Sequence, residues 1–242
     1  VQDLPDEITH DTLLRGRVKL LQPRRGFRSS LDPVLLAAFV APPFGRFLDV
    51  GCASGALSFL LLARDPSARG LGVEIQPRLS ALAERGRQEN CFADRFDVVT
   101  GDVRARDVVE AGAFDLVAIN PPFRAVGTGV LPPLSEKALA NYEVSLALAE
   151  WLDVAARAAG QGGRLAAIFP VGRWDELKDA LAGCGFFVAR LRQVAARVGE
   201  EPSRILVEAR RRPVETVIEP LLVAHAESGY SEEVRRMLGE DA

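Results

Sequence analysis

Residues 48–58, "LDVGCASGALS", close one apolar run and open another across two glycines, and the reading of that switch decides the fold. "RFLDV" (Arg46–Val50) before it has the character of a buried strand, and "ALSFLLLAR" (Ala56–Arg64) after it that of a helix. Gly51 and Gly55 let the backbone turn tightly and come close to a ligand, beside the free N–H groups of a helix N-terminus. Something small is expected to bind there. The spacing is D-x-G-x-x-S-G; Cys52 and Ala53 exclude the G-x-G-x-x-G of dinucleotide folds, so a nicotinamide-dependent oxidoreductase loses ground.

Working outward, short apolar runs alternate with helical patterns, the signature of βαβ units and a mostly parallel sheet. "GLGVEI" (Gly70–Ile75) is the second strand, "RLSALAERGRQENC" a helix, "FDVVTGD" the third strand and "FDLVAIN" the fourth. A helix is expected over Tyr142–Ala159, stopping at "GQGG", then the strand "RLAAIFP" and a helix over Trp174–Ala182. "GFFVARLRQV" and "SRILVEARR" follow with no helix between them, which predicts an antiparallel pair at one edge. Residues 213–242 are less patterned.

The 242 residues suffice for one sizeable core, and 48% apolar with 26% charged residues excludes disorder and fibrous repeats. No apolar run approaches the roughly 18 residues that span a bilayer, and no basic–apolar leader opens the chain, so a cytoplasmic location is expected. Cys52, Cys91 and Cys184 are distant from one another and odd in number, which suits reduced thiols in the core. Two histidines and no paired-cysteine spacing leave no zinc ligand set, so no metal is expected. The net charge of −3 argues against indiscriminate nucleic-acid binding. Yet residues 13–31 carry Arg15, Arg17, Lys19, Arg24, Arg25 and Arg28 without one acid, and Arg210, Arg211 and Arg212 form a second cluster. A charge run is commonly just solvated surface; two in an acidic chain invite a polyanion partner.

Candidate site residues gather at the carboxyl ends of successive strands, where open α/β sheets bind ligands. Asp49, Gly51 and Gly55 end the first, with Cys52 and Ser54 inside the turn. Glu74 ends the second, at the distance where an acid bonds a ribose diol, and Asp102 after the third is placed to accept from an adenine amine. Gly-Asp is also a routine turn and N-cap. The fourth ends in "NPPF", Asn120, Pro121, Pro122 and Phe123. Two prolines cannot donate ladder bonds and fix their own φ, so the chain leaves the sheet in a stiff turn. Alone, that is equally an ordinary strand end.

Together these residues resemble the class I S-adenosylmethionine-dependent methyltransferases, and "NPPF" resembles the [DNS]-PP-[YFW] motif of those that methylate a planar nitrogen. The resemblance implies a Rossmann-like α/β fold: a mostly parallel seven-stranded sheet with an antiparallel edge strand and helices on both faces. It implies S-adenosylmethionine as cofactor and S-adenosylhomocysteine as product. Glu74 would hold the ribose, Asp102 the adenine and the "DVGCASG" turn the methionine part, with Ile75 and Val103 as neighbouring contacts. Asn120 and the Pro121 carbonyl would accept both N–H bonds of the target amine, Phe123 would stack on the base, and Asn120 would also border the cofactor.

"LLQPRRGFRSSLDPVLLAAF" before the glycine turn, "ANYEVSLALAEWL", "SRILVEARR" and "GYSEEVRRML" are similar to segments of the valine-tRNA adenine-37 N6-methyltransferases. Phe123 stands where Tyr is usual there. The resemblance implies tRNA as substrate. Arg24, Arg25 and Arg28 would contact RNA phosphates, or Arg28 and Asp32 would close over the cofactor. The loop "RAVGTGVLPPLSEK" would fold over the target base or serve as a plain connection. Residues 1–45 are expected to cap substrate or cofactor, 46–212 to form the methyltransferase domain and 213–242 to pack on it as an extension.

Protein-glutamine methyltransferases share the motif but usually carry a helical N-terminal domain, for which roughly 45 residues before Asp49 leave little room. DNA or rRNA adenine methylation and a non-catalytic cofactor-binding scaffold are weaker alternatives.

Overall fold

The computed structural model describes residues 8–121 and 148–240. The chain opens with a hairpin, β1 (Ile8–Leu13) and β2 (Val18–Pro23), followed by helix α1 (Asp32–Phe39). The alternating core comprises β3 (Arg46–Val50), α2 (Ala56–Arg64), β4 (Arg69–Glu74), α3 (Pro77–Glu89), β5 (Phe96–Thr100) and β6 (Phe114–Ile119). Beyond the undescribed stretch come α4 (Leu148–Ala158), β7 (Ala159–Pro170), α5 (Trp174–Gly183), β8 (Phe187–Arg197) and β9 (Arg204–Arg210). Two short strands, β10 (Val217–Ile218) and β11 (Leu222–His225), and helix α6 (Glu232–Met237) end it.

The main sheet runs β10-β8-β9-β7-β6-β3-β4-β5, with β11 also pairing β8. Its two faces alternate residue by residue, as the pleat requires. Phe47, Leu116, Ala166 and Leu206 join the cluster that holds α1 and α2. Their neighbours Leu48, Val117, Leu165 and Ile205 join the cluster that holds α4 and α5. Helices therefore cover both faces, and the interior strands read as continuous apolar runs.

Three expectations need correction. β9 is antiparallel to β7 and β8 but lies between them, not at the edge. Residues 205–209 of β9 are all buried, the pattern of an interior strand, and β10 and β11 extend the sheet beyond β8 to nine strands among the described residues. Strands of two and four residues are too short to show a period. Second, "GQGG" does not stop a helix before a loop: α4 passes directly into β7. A Cβ at Gly163 would sit 2.9 Å from the Phe114 carbonyl oxygen, so glycine there permits close backbone approach at the irregular β6–β7 register. Third, of the three cysteines only Cys52 is buried; Cys91 is exposed, at φ 58° just after α3, and Cys184 is half-buried.

Two of the three arginines in the second cluster are internally spent, while Arg212 is exposed. Arg210 pairs with the buried Glu208, and Arg211 donates to the carbonyls of Ala156 and Cys184 and lies over the Phe186 ring. Because β9 is antiparallel, this cluster sits at the end of the sheet opposite the carboxyl ends of the parallel strands. No described helix is long and apolar enough to cross a membrane, and no group of metal-ligating side chains occurs among the described residues.

Candidate active site at the carboxyl ends of the strands

β3 delivers Asp49 into the interior, where it is 2% exposed. Ser58, fully buried in the first turn of α2, donates to its Oδ2 at 2.6 Å. Burial pushes the Asp49 carboxyl up to about 7, against the Ser58 hydrogen bond. The sign of the consequence is fixed: between pH 3.8 and about 7 the folded chain keeps a proton that the unfolded chain has released. Stability from this group is thus full below pH 3.8 and falls as pH rises to about 7. Denaturant midpoints in Asp49→Asn should lose that part of the decline; an unchanged pH profile would refute the assignment.

The glycine turn bends back on β4: the N–H groups of Gly51 and Cys52 both donate to the Val73 carbonyl, at 2.9 and 3.1 Å. Gly51, Ala53 and Gly55 have φ of 71°, 48° and 90°. A side chain at Gly51 would meet nothing within 4 Å, so open space lies over the turn, whereas one at Gly55 would strike the Phe59 ring at 2.6 Å. The buried Cys52 thiol, pushed up by burial, packs against Gly72 of β4. A methyl at Gly72 would sit 2.7 Å from Phe96 Cζ and 2.8 Å from Cys52 Sγ. Gly72→Ala is expected to destabilise the fold by about 1–3 kcal/mol and to weaken cofactor binding by displacing the turn; unaltered melting and cofactor affinity would contradict this.

Glu74 is 5% exposed, and its two oxygens accept separately: Oε2 from the Ala53 N–H at 2.9 Å, Oε1 from the Gln76 N–H at 2.8 Å. Burial raises its carboxyl above the ordinary value. One carboxylate thus ties the glycine turn to the start of α3. Ile75 beside it is 43% exposed, unusual for an isoleucine, and offers an apolar surface at the strand end.

Asp102, after β5, is half-exposed and held by Arg104, whose Nε lies 2.9 Å from both oxygens and whose Nη2 lies 2.6 Å from Oδ2. Those bonds keep its carboxyl below the usual range. Arg104 also reaches Glu150 of α4 at 3.0 Å, and Arg157 of α4 donates to the carbonyl of the buried Val103 at 3.1 Å. Asn120, one residue past β6, has its Oδ1 buried without a hydrogen-bond partner among the described residues, and Pro121 is buried. Pro122, Phe123, the loop over 124–137 and the start of the helix expected from Tyr142 lie outside the described residues.

The N-terminal hairpin lies against the same region. Leu21 of β2 clusters with Leu79 and Leu82 of α3, and Phe27 and Ala53 of the glycine turn pack against that cluster. Arg24 and Arg25 are exposed. Arg28 is exposed too, but its guanidinium is engaged: it donates to Thr9 at 2.7 Å, the Pro23 carbonyl at 3.0 Å and Asp11 at 2.8 Å, which makes it a brace of the hairpin. Asp32 faces Arg204 at 3.6 Å.

The structure therefore brings Asp49, the glycine turn and Glu74 into direct contact, with Asp102 and Asn120 on flanking strands. Sequence reasoning missed Ser58, Arg104 and Glu150. Ser58 alone had a signal, as the single polar residue in the otherwise apolar "ALSFLLLA".

A glycine turn over β3, acids closing the next two strands and the sequence Asn-Pro-Pro after the fourth, on this sheet order, define a class I S-adenosylmethionine-dependent methyltransferase. S-adenosylmethionine is the cofactor. Residues 31–165 match the methyltransferase small domain family. A tRNA1(Val) (adenine(37)-N6)-methyltransferase of Porphyromonas gingivalis is 31% identical, covering 84% of this chain and 83% of its own. One of the same name from Mannheimia succiniciproducens is 27% identical, covering 84% and 82%. The chain belongs to the methyltransferase small domain family and, within it, to the tRNA1(Val) (adenine(37)-N6)-methyltransferase family. Among solved structures, the fold matches a predicted O-methyltransferase, Atu636 of Agrobacterium tumefaciens, with TM-score 0.70, 23% identity and coverage of 87% and 97%. Geranyl diphosphate C-methyltransferase of Streptomyces coelicolor, solved with S-adenosyl-L-homocysteine, matches with TM-score 0.53, 14% identity and coverage of 74% and 76%.

Proposed function

We propose that this chain methylates the exocyclic N6 of an adenine in tRNA, at position 37 of a valine tRNA, the activity its relatives' names state for them. The observation that supports it most is the Asn120 side-chain oxygen, buried and without a partner among the described residues, at a strand end beside the glycine turn. A buried acceptor without a donor asks for one from a ligand. An adenine amine has its lone pair delocalised into the ring and is a poor nucleophile. Accepting both its N–H bonds favours the positive charge that builds on nitrogen during attack. Asn120 Oδ1 and the Pro121 carbonyl are the proposed acceptors, held rigid by the proline backbone. The bound cofactor supplies an electrophilic methyl on a sulfonium sulfur. Catalysis beyond charge stabilisation is positioning of amine against methyl, with no general base required.

Glu74 retains lone pairs on both oxygens after its two backbone bonds, enough to accept from a ribose diol. Asp102, oriented by Arg104, takes the adenine amine of the cofactor, with Ile75 and Val103 as apolar contacts. Asp49, Gly51, Cys52, Ser54 and Gly55 surround the methionine part, under the open space above Gly51. In the same proposal, Phe123 stacks on the flipped target base, Arg24 and Arg25 meet RNA phosphates, and residues 1–45 cap the 46–212 domain while 213–242 extend it. A tRNA substrate implies action in the cytoplasm.

The test is transfer from labelled S-adenosylmethionine to unmodified tRNA, with digestion to nucleosides and mass spectrometry. N6-methyladenosine at position 37 of valine tRNA is expected. Cofactor binding with transfer only to a protein glutamine or to another nucleic acid would reject the proposal.

A further inference from the structure

The β1–β2 turn is built in a way its local sequence does not favour. Leu14, Arg15 and Gly16 follow one another at φ of 48°, 54° and 86°. Successive left-handed residues are a conformation for which Asn-Gly is the comfortable sequence, and here Leu-Arg adopts it. Leu14 has a reason: it is 6% exposed, in the main core cluster against which Met237 and Leu238 also pack. Arg15 has none of that kind. It is exposed and has no hydrogen bond or ion pair among the described residues.

The turn is also held firmly. Val18 is fully buried, and the Gly16 and Arg17 N–H groups donate to the carbonyls of Leu13 and Leu14, each at 3.2 Å. Asn90 at the end of α3 clamps Lys19 by its backbone alone, accepting from the N–H at 2.8 Å and donating to the carbonyl at 2.7 Å. The Lys19 ammonium is left in solvent, as is most of Arg17. Two described acids near the hairpin are engaged: Asp11 by Arg28 and Gln22, Glu89 by Arg85 at 3.0 Å.

β2 has six residues and so spans about 20 Å, from the Arg15–Arg17 turn to Arg24 and Arg25, close in sequence to the Phe27 that packs on the same cluster as Ala53. Given the tRNA activity proposed above, we propose that Arg15, Arg17 and Lys19 form a preorganised phosphate-binding surface that carries the tRNA backbone away from the active site. The clamped backbone matters because only the side chains then have freedom to lose on binding, and none is spent on ordering the turn. Arg28, one of the three arginines that sequence alone offers for this task, is spent on Thr9, Asp11 and the Pro23 carbonyl, whereas Arg15 and Lys19 have no side-chain partner among the described residues and Arg17 commits only its Nε, 3.4 Å from the Leu14 carbonyl.

The experiment compares the wild type with Arg15→Gln/Arg17→Gln/Lys19→Gln over a range of salt. Each lost duplex phosphate contact reduces the slope of log(kcat/KM) against log[salt] by about 0.9. The triple variant should raise KM for tRNA about tenfold or more, flatten the slope by about two to three, and leave kcat and S-adenosylmethionine affinity unchanged. Arg15→Gly separates charge from backbone: it relieves the left-handed conformation, so its melting temperature holds or rises while KM for tRNA increases. Arg15→Lys should retain the salt slope. Salt-dependent transfer that the triple variant leaves unaltered would overturn this inference alone and point to Arg24 and Arg25. No transfer to tRNA by the wild type would overturn the activity and the inference together.

Discussion

Asn120→Ala is expected to lower kcat by about two to three orders of magnitude, the usual consequence of removing one preorganised group that stabilises developing charge. Cofactor affinity should stay within about threefold, because the bond at stake forms to the target amine as it attacks and the glycine turn and Glu74 remain intact. The side chain begins one residue beyond β6, and its Oδ1 is buried with no partner among the described residues, so the deletion breaks no hydrogen bond to them at that oxygen and stability should change little. Asn120→Asp keeps an acceptor at the same place and should recover part of the rate. Single-turnover kinetics with calorimetry of cofactor binding makes the measurement. Parallel loss of rate and cofactor affinity would show that Asn120 serves the cofactor, and an unchanged rate would remove it from the chemistry.

Glu74→Ala is expected to act on binding and stability instead. Its carboxylate receives the Ala53 and Gln76 N–H groups, so truncation leaves two donors at a largely buried site without partners. Each such loss is of the order of 1–3 kcal/mol, and the left-handed Ala53 loses the bond that holds it in place. Adding the lost ribose contacts, S-adenosylmethionine affinity should fall by at least about a hundredfold, and the melting temperature by about 5–10 °C. Glu74→Gln retains one acceptor and should fall between. Binding of the cofactor within tenfold of wild type by Glu74→Ala would sink the proposed role, whatever happens to the melting temperature.

Both predictions concern residues that are legible in the sequence, because each stands where a strong local signal stops. β3 and α2 have the bounds that "RFLDV" and "ALSFLLLAR" predict, since an apolar strand, a two-glycine turn and a helical period meet there without ambiguity. Glu74 and Asn120 close apolar runs in the same way. Their partners are another matter. Ser58 reaches Asp49 from nine positions away, and Glu150 reaches Arg104 across forty-six, and no periodicity records a contact between elements. Arg28 shows the reverse error. Its charge is plain in the sequence, but Asp11 and Thr9 consume it only once the hairpin has folded.

The order of apolar runs and turn residues by itself determined an alternating α/β domain, the place of the glycine turn and the chemical types waiting at the strand ends. Those follow from local steric and burial preferences, which act within a few residues. Tertiary structure decided that β9 lies inside the sheet, that β10 and β11 extend its edge, and that Arg28, Arg210 and Arg211 find partners while the Arg15 and Lys19 side chains have none among the described residues. A two-residue strand gains its hydrogen bonds from β8, and a guanidinium gains its carboxylate from another element. Such partners are distant in sequence and are chosen only when the sheet and its helices close around one core.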